Sequence, residues 1–287
     1  MNTEKLKFQK VRTISEVLED AFSFLQAHFI KMLKVIWEVN KVYIILFVIF
    51  SFAFYYRYSI FLDEMITKNN MTNAGMEVIL GLLLTLYTLI VTARVYATGY
   101  GYIRNYIEND GQINLAKIKA FTDDKWWGYI LLSILVGILV IIGFLLFIIP
   151  GIWVLVPLSV AFPIYFLEDE GVMDSVKKSF QYVSGKWWYS FGVLFFTFLI
   201  IMVLNTIVSF PATIYSMMMV ISAAKQEGVA QLSTKGDLVF SFLTVISNLG
   251  KLLISIVQIP VMVFLYYSLK EYHTAQGMLD KIEEIGE

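Results

Sequence analysis

Two acidic clusters are the strongest candidates for acid–base chemistry in this sequence: the pair Asp-Asp at 123–124 and the turn Glu-Asp-Glu at 168–170. General acid–base catalysis needs carboxylates held beside a reacting group, and a metal site needs further ligands at suitable spacing. The two histidines, His28 and His273, are not at such spacing from either cluster. Neither cluster matches a catalytic motif. We therefore expect two solvated acidic turns in cytoplasmic loops, each capping the following helix, and no enzymatic activity.

Other kinds of chemistry are excluded by residue types that the sequence lacks. There is no cysteine, so there is neither a disulfide nor a thiolate nucleophile. No Gly-rich phosphate loop and no Gly-x-Ser-x-Gly elbow occurs. The net charge of −1 gives no basic patch for a nucleic acid. We expect no cofactor, no metal and no nucleic-acid partner.

Polar residues inside long apolar segments form a second group of candidates, because such residues are costly in a membrane and often functional. Arg94 and Lys251 lie near the ends of apolar segments, where each can reach an interface. Asn205 and Gln258 are neutral and can hydrogen-bond between neighbouring helices. No Asp or Glu lies deep in any apolar segment, which argues against a proton-driven pump.

The composition is that of a membrane protein. Hydrophobic residues make up 58% of the 287 residues and charged residues 16%. Soluble domains contain about 45–50% and about 25%, respectively.

The longest uncharged stretch, residues 126–167, determines the predicted architecture. As one helix it would be about 63 Å long at about 1.5 Å per residue, whereas a hydrocarbon core is about 30 Å thick. The stretch must therefore fold back, and Pro150-Gly151 combines a helix breaker with a residue that tolerates positive φ near its middle. The second half is short and contains Pro157 and Pro163, so a kinked or partly re-entrant fourth helix remains open.

The same length criterion predicts an all-α polytopic membrane helix bundle with about six transmembrane helices, forming a single membrane domain over residues 1–287. The predicted spans are about 42–62, 78–98, 126–149, 151–167, 187–210 and 252–269.

Charge distribution predicts the orientation. Most Lys and Arg residues lie at the amino terminus, in the loops 100–125 and 168–186, and in the tail. The positive-inside rule then places both termini in the cytoplasm. We expect no cleavable signal peptide after the charged residues 1–12. We expect a multi-pass protein of a bacterial cytoplasmic (inner) membrane.

Residues 13–36 predict an amphipathic helix ahead of the first span. Apolar residues recur at helical spacing, and Thr13 with Glu16 forms a capping box. Such a helix either lies in the cytoplasmic interface or packs against the bundle, and the two alternatives are equally supported.

A Lys-Trp-Trp sequence occurs twice, at 125–127 and 186–188, each time before an apolar segment. Tryptophan favours membrane interfaces because its ring is apolar and its N–H needs a partner. We predict the same unit at 115–127 and 174–188: a surface helix, a tight turn, an aromatic anchor and a span. The anchors are Trp126, Trp127, Trp187 and Trp188. The apolar face predicted for the second surface helix comprises Met173, Val176, Phe180 and Val183.

Two apolar segments on the opposite side, 211–224 and 238–250, flank the polar loop 225–237. Pro211 is predicted to separate the first of them from the fifth span. Each segment is too short to span a membrane and is predicted to be interfacial or re-entrant. They form either a cap over the bundle or a substrate gate.

Four stretches carry a resemblance to a known family: IIPGI (148–152), FLEDEGVMDSVKKSF (166–180), GKWW (185–188) and FLYYSLKEY (264–272). Together they resemble a group of mostly uncharacterised bacterial membrane proteins related to the membrane domain of glycerophosphoryl diester phosphodiesterases. The resemblance implies six helices with interfacial elbows. It implies no phosphodiesterase activity, because that chemistry belongs to a separate soluble barrel, for which this chain has no room. Ser268 replaces the acidic residue expected in that family.

Our leading hypothesis is therefore a non-enzymatic scaffold, assembly or membrane-organising subunit. Its expected partners are membrane lipids and a membrane protein. The alternative is a carrier or flippase-like protein for a lipid or amphipathic small molecule, suggested by the proline-containing fourth helix.

Overall fold

The computed structural model describes residues 8–68, 71–224 and 237–286. These residues form seven α-helices and no strand, so the all-α prediction is confirmed. The helices are α1 (Ile14–Lys68), α2 (Ala74–Glu108), α3 (Leu115–Leu146), α4 (Ile148–Leu167), α5 (Val172–Val183), α6 (Trp187–Ala224) and α7 (Leu238–Gly286). All except α5 are long and apolar enough to cross a membrane.

The helices are distributed over two compact units. Among the described residues, unit 1 comprises 8–39, 93–200 and 256–286, and unit 2 comprises 40–68, 71–92, 201–224 and 237–255. Helices α3, α4 and α5 belong wholly to unit 1.

Helix α1 begins with the predicted capping box. The backbone N–H of Thr13 donates to Glu16 Oε2 at 2.7 Å, and the N–H of Glu16 donates to Thr13 Oγ1 at 3.3 Å. The helix then runs unbroken through both the predicted surface helix and the predicted first span. No Gly or Pro lies between residues 36 and 42, so nothing stops it. Because Val17, Ala21 and Phe24 are fully buried, the segment 13–36 packs inside unit 1.

The break between α3 and α4 lies at Phe147, so its prediction at Pro150-Gly151 was wrong by three residues. Proline is tolerated in the first turn of a helix, where its missing N–H would have no intrahelical partner. Pro150 accordingly lies in the first turn of α4. A Cβ on Gly143 would lie 3.0 Å from the Cα of Gly151, so both glycines allow the two helices to meet closely at the turn.

Two other predicted breaks do not occur. Helix α6 continues through Pro211 to Ala224, and the segment 238–250 is the beginning of α7 rather than a separate half-helix. One proline removes a single helical hydrogen bond, which a long helix can tolerate. Most of the polar loop between them, residues 225–236, lies outside the described residues.

The two Lys-Trp-Trp units differ. Residues 115–127 are part of the continuous α3, so the turn predicted there is wrong. Residues 172–188 form the predicted helix, turn and second helix, with Gly185 at φ +74°. Val176 and Val183 are buried as predicted, but Met173 is exposed.

Candidate functional site

The most concentrated set of polar contacts surrounds Glu168, immediately after the last residue of α4. Its Oε1 accepts hydrogen bonds from Tyr266 Oη at 2.6 Å, from Lys270 Nζ at 2.8 Å and from Tyr182 Oη at 2.9 Å. Its Oε2 accepts from Lys178 Nζ at 3.1 Å. One carboxylate therefore joins the end of α4 to α5 and α7.

The Glu168 carboxylate is largely shielded from water, while the two lysines that pair with it are partly exposed. The side chain of Glu168 is only 9% exposed. A carboxylate so buried needs compensating cations and donors, and Lys178 and Lys270 supply the positive charge. Lys178 also bonds Glu170. The prediction of a solvated turn at residues 168–170 is therefore wrong for Glu168.

Asp169, the next residue, forms a second ionic cluster with α2 and α3. Its two carboxylate oxygens accept from the Arg104 guanidinium at 2.8 and 2.7 Å, and Lys125 Nζ lies 3.1 Å from Oδ1. Asp169 has φ +55°, a left-handed conformation that is uncommon for residues other than glycine. The ion pairs offset the cost of that conformation.

The pKa shifts define what these carboxylates can do. Burial would raise the pKa of Glu168, but the hydrogen bonds from Lys270, Tyr266, Lys178 and Tyr182 outweigh burial and lower it to about 2. The bonds from Arg104 lower the pKa of Asp169 to about 2. Burial and the bond to Glu168 raise the pKa of Tyr182 to about 12. Near neutral pH both carboxylates are ionised and Tyr182 is protonated, so none of them is matched to proton transfer there.

The carboxyl-terminal part of α7 contributes a further residue beside this cluster. His273 Nε2 lies 2.8 Å from the backbone oxygen of Tyr182, and their rings stack with centroids 5.9 Å apart. The imidazole thus fixes the end of α5 against α7.

The segment before α1 docks on the same helix. Phe8 is buried and stacks on Phe264, with centroids 5.0 Å apart and planes inclined by 1°. Arg12 is 4% exposed and pairs with Asp20 at 2.7 Å. The backbone N–H of Arg12 donates to Ser268 Oγ at 2.9 Å. The sequence reasoning missed Phe8 and Arg12, because a charged amino terminus gives no signal of packing.

Ser268 also accepts a hydrogen bond from Tyr189 Oη at 2.9 Å. Ser268, where the resemblance leads us to expect an acidic residue, is therefore buried and accepts two hydrogen bonds. It links α6, α7 and the segment before α1.

Arg94 is buried in α2 and pairs with Asp123 of α3 at 2.8 Å. Its guanidinium carbon lies 5.9 Å from the ring centroid of Trp126. Asp123 lies within a helix, so the loop predicted for residues 123–124 is wrong. Arg94, the ionisable candidate in the second apolar segment, therefore joins α2 to α3.

The neutral candidates are placed differently from one another. Gln258 accepts a hydrogen bond from Tyr96 Oη at 3.2 Å, which joins α7 to α2. Asn205 Oδ1 is buried in unit 2 without a partner in the part of the chain that the structure describes. Lys251 is an exposed residue of α7.

The predicted tryptophan anchors lie at two helix positions. Trp126 and Trp127 are in α3, with ring centroids 4.4 Å apart. Trp187 and Trp188 begin α6, and Trp187 Nε1 donates to the backbone oxygen of Trp153 at 3.1 Å. Trp127 and Trp188 are exposed.

Unit 2 has a polar set of its own. Arg57 donates to Glu77 Oε1 at 2.8 Å, and Glu77 is buried. Asp237 caps α7 by accepting from the N–H of Phe240 at 2.9 Å. Asn248 Nδ2 donates to Tyr55 Oη at 3.1 Å. Across the described ranges, no group of three or more His, Cys, Asp or Glu residues could hold a metal ion.

No protein-family model, curated protein or solved structure matches this chain. The relation to the glycerophosphodiester-linked membrane family therefore stays a prediction.

Proposed function

We propose that this multi-pass helical protein is a non-enzymatic scaffold or assembly subunit of a membrane, presenting α5 to a membrane-protein partner. The observation that carries the proposal is the bonding of Glu168, which uses its carboxylate to hold α5 against α4 and α7. The chemistry of the acidic turn is then structural rather than catalytic.

A helix held in this way offers a fixed surface. The outward face of α5 carries Met173, Asp174, Lys177 and Gln181, all exposed. Lys177 and Asp174 contact each other at 3.5 Å and are otherwise accessible. A rigid face that combines an exposed methionine with charged groups is suited to docking a partner, because little conformational entropy is lost on binding.

Affinity isolation from native membranes after chemical cross-linking tests this proposal. We expect the double variant Met173→Glu/Lys177→Glu to lose companions that the unaltered protein retains. Lys119→Glu, a charge reversal at an exposed position of α3, is the matched control and should retain them. Identical companions for all three proteins, or no companions together with no effect of gene deletion on any complex, would contradict the scaffold proposal.

A carrier of lipid or amphipathic molecules is the second candidate. It is favoured by three buried oxygens of unit 2 for which the described residues supply no hydrogen-bond partner: Ser51 Oγ, Glu77 Oε2 and Asn205 Oδ1. Unpartnered buried polar atoms are costly, and a polar ligand could satisfy them.

Reconstitution in vesicles separates the two candidates. A carrier should move a fluorescent lipid between leaflets, and Asn205→Leu should slow that movement. The scaffold proposal predicts no movement above that of protein-free vesicles.

A further inference from the structure

The turn between α3 and α4 differs chemically from the other two links on the predicted outer side. Residues 134–152 contain no polar side chain, whereas the α1–α2 link at 63–77 and the α6–α7 link at 225–237 each contain several charged or amide residues. A loop that emerges into water normally carries such residues. The α3–α4 turn has none.

The tip of this hairpin is the most exposed apolar surface of α3 and α4. Leu145, Leu146, Phe147, Ile148 and Ile149 are between 62% and 80% exposed. Five consecutive exposed aliphatic and aromatic residues would be unfavourable in water.

The backbone at the tip is compatible with lipid. The N–H of Phe147 donates to the oxygen of Gly143, and the N–H of Gly151 donates to the oxygen of Phe147, each at 3.2 Å. Hydrocarbon tolerates a chain reversal only when its backbone groups are satisfied within the protein. These two bonds satisfy part of the backbone at the one-residue break, and Pro150 has no N–H that would need a partner.

The depth of α4 is limited by its neighbours in unit 1. Trp153 is about 9 Å along the helix axis from Phe147, at about 1.5 Å per residue. Its backbone oxygen accepts from Trp187, the first residue of α6, and its ring lies 6.4 Å from that of Phe180 in α5. The amino end of a predicted span therefore touches α4 close to its tip.

Helix α5 gives a second limit. It packs along α4 from Trp153 to Glu168, yet its outward residues Asp174 and Lys177 have side chains that are 60% and 69% exposed. Exposed charges at the centre of a bilayer cost several kcal/mol. The part of α4 that α5 covers must therefore lie at a membrane interface. Only the residues of α4 near 148–152 can then lie deeper in the bilayer.

We infer that the α3–α4 hairpin is re-entrant: it enters and leaves the bilayer from one side, and its tip at residues 145–149 contacts lipid acyl chains. Although α4 is long and apolar enough to cross, it does not emerge on the other side. The number of crossings stays even, so both termini remain on one side. This inference requires insertion in a membrane and does not depend on the scaffold proposal.

The absence of cysteine makes a single-cysteine scan the direct test. The variants Leu131→Cys, Ile138→Cys and Leu145→Cys replace exposed residues progressively closer to the tip. Each is labelled with an environment-sensitive dye in lipid vesicles and quenched by nitroxide groups placed at mid-chain of the lipid. For a re-entrant hairpin, mid-chain quenching increases steadily from 131 to 145. For a hairpin that crosses, it is strongest near 138 and falls at 145, which would overturn the inference.

Accessibility provides an independent measurement. A membrane-impermeant maleimide added to either side should not react with Phe147→Cys. Lys177→Cys and Met71→Cys, both at exposed positions, serve as reporters for the two aqueous faces. Denaturation in detergent must restore reaction at 147 and shows that the thiol is present. Reaction at 147 from the side of residue 71 would show a full crossing, and reaction from the side of residue 177 would show a hairpin outside the membrane. Either result contradicts the inference.

Discussion

The two Lys-Trp-Trp sequences have the same residues and opposite effects on the chain. At 125–127 the tripeptide lies inside α3, which continues without a break to Leu146. At 186–188 it follows a turn, and Trp187 begins α6. The difference lies in the residue before it: Gly185 has φ +74°, whereas Asp124 has the helical conformation. The Lys-Trp-Trp residues therefore do not decide whether the chain turns, whereas the glycine before the second copy does.

The contacts of the two copies differ as well. In the first copy, Lys125 pairs with Asp169 and Trp126 lies beside Arg94. In the second, Lys186 Nζ lies 3.9 Å from the ring centroid of Tyr272. The first region is held by ion pairs and the second by a turn and aromatic packing, with Glu168 fixing α5 between them.

The largest effect should come from Glu168→Gln, which removes the charge that neutralises Lys178 and Lys270. We expect the free energy of unfolding to fall by about 2 kcal/mol, because Lys270 loses its carboxylate partner and the charge-assisted bonds are weakened, while Lys178 keeps Glu170 and both ammonium groups are partly exposed. Asp124→Asn is the control in the first region: its carboxylate is exposed and lies 3.7 Å from Lys125, so its loss should cost at most about 1 kcal/mol. Unfolding in detergent at increasing denaturant concentration measures both. Equal losses would remove the distinction between the two regions.

Acid should weaken both regions together. The pKa values of Glu168 and Asp169 are lowered in the folded protein to about 2, whereas both groups titrate near 4 when unfolded. The unfolded chain then binds more protons between these values, so their contribution to stability is complete above about pH 5 and is lost as the pH falls towards 2.

We therefore expect a lower unfolding temperature at pH 3 than at pH 7. The decrease should be smaller in Glu168→Gln and smallest in Glu168→Gln/Asp169→Asn. An identical decrease in all three proteins would assign the acid sensitivity to other groups.

Gly185→Ala should lower the free energy of unfolding, because only the second Lys-Trp-Trp copy follows a glycine in the left-handed conformation. A Cβ at this position would meet no atom within 4 Å, so the penalty arises from the left-handed backbone alone and should be about 1–2 kcal/mol. Gly137→Ala has equally open surroundings but lies in the helical part of α3. It should leave stability unchanged or raise it by up to about 1 kcal/mol. The same denaturant titration compares the two, and a loss at Gly137 as large as that at Gly185 would contradict the backbone explanation.

The smallest expected difference is between the stability costs of replacing the two lysines, Lys125 and Lys186. Lys125→Met removes a cation paired with Asp169 at 3.1 Å and should cost about 1 kcal/mol, as for charge-assisted bonds at partly exposed sites. Lys186→Met removes a cation held over a ring and should cost about 0.5 kcal/mol. Raising the salt concentration should reduce the first cost more than the second. A reversed order would show that the ring contact at Tyr272 is the stronger one.

The fold could be predicted largely from lengths of apolar sequence, because the thickness of a bilayer restricts helices strongly. The errors concern how helices begin and end. The sequence predicts a break at Pro150, yet that residue lies in the first turn of α4; it predicts an end at Pro211, yet α6 passes through it. A proline restricts its own φ but does not by itself choose between a first turn and a kink.

The polar cluster was only partly predictable. Glu168 and Lys270 both lie in stretches singled out by resemblance, but 102 positions separate them, and sequence spacing alone does not bring them together. Phe8 and Arg12 gave no signal at all, since their burial depends on rings and a hydroxyl supplied by distant helices.

The bond from Arg12 to Ser268 joins residues 256 positions apart. The segment 8–12 can therefore be fixed only after the chain has been made as far as Ser268. Until α7 is inserted, the backbone N–H of Arg12 must remain hydrated, although its guanidinium can already pair with Asp20, and unit 1 stays incomplete. Closure of this bond would mark a late step in the folding of unit 1, and a chain truncated before Ser268 would expose Phe8 and Arg12, which the folded protein buries.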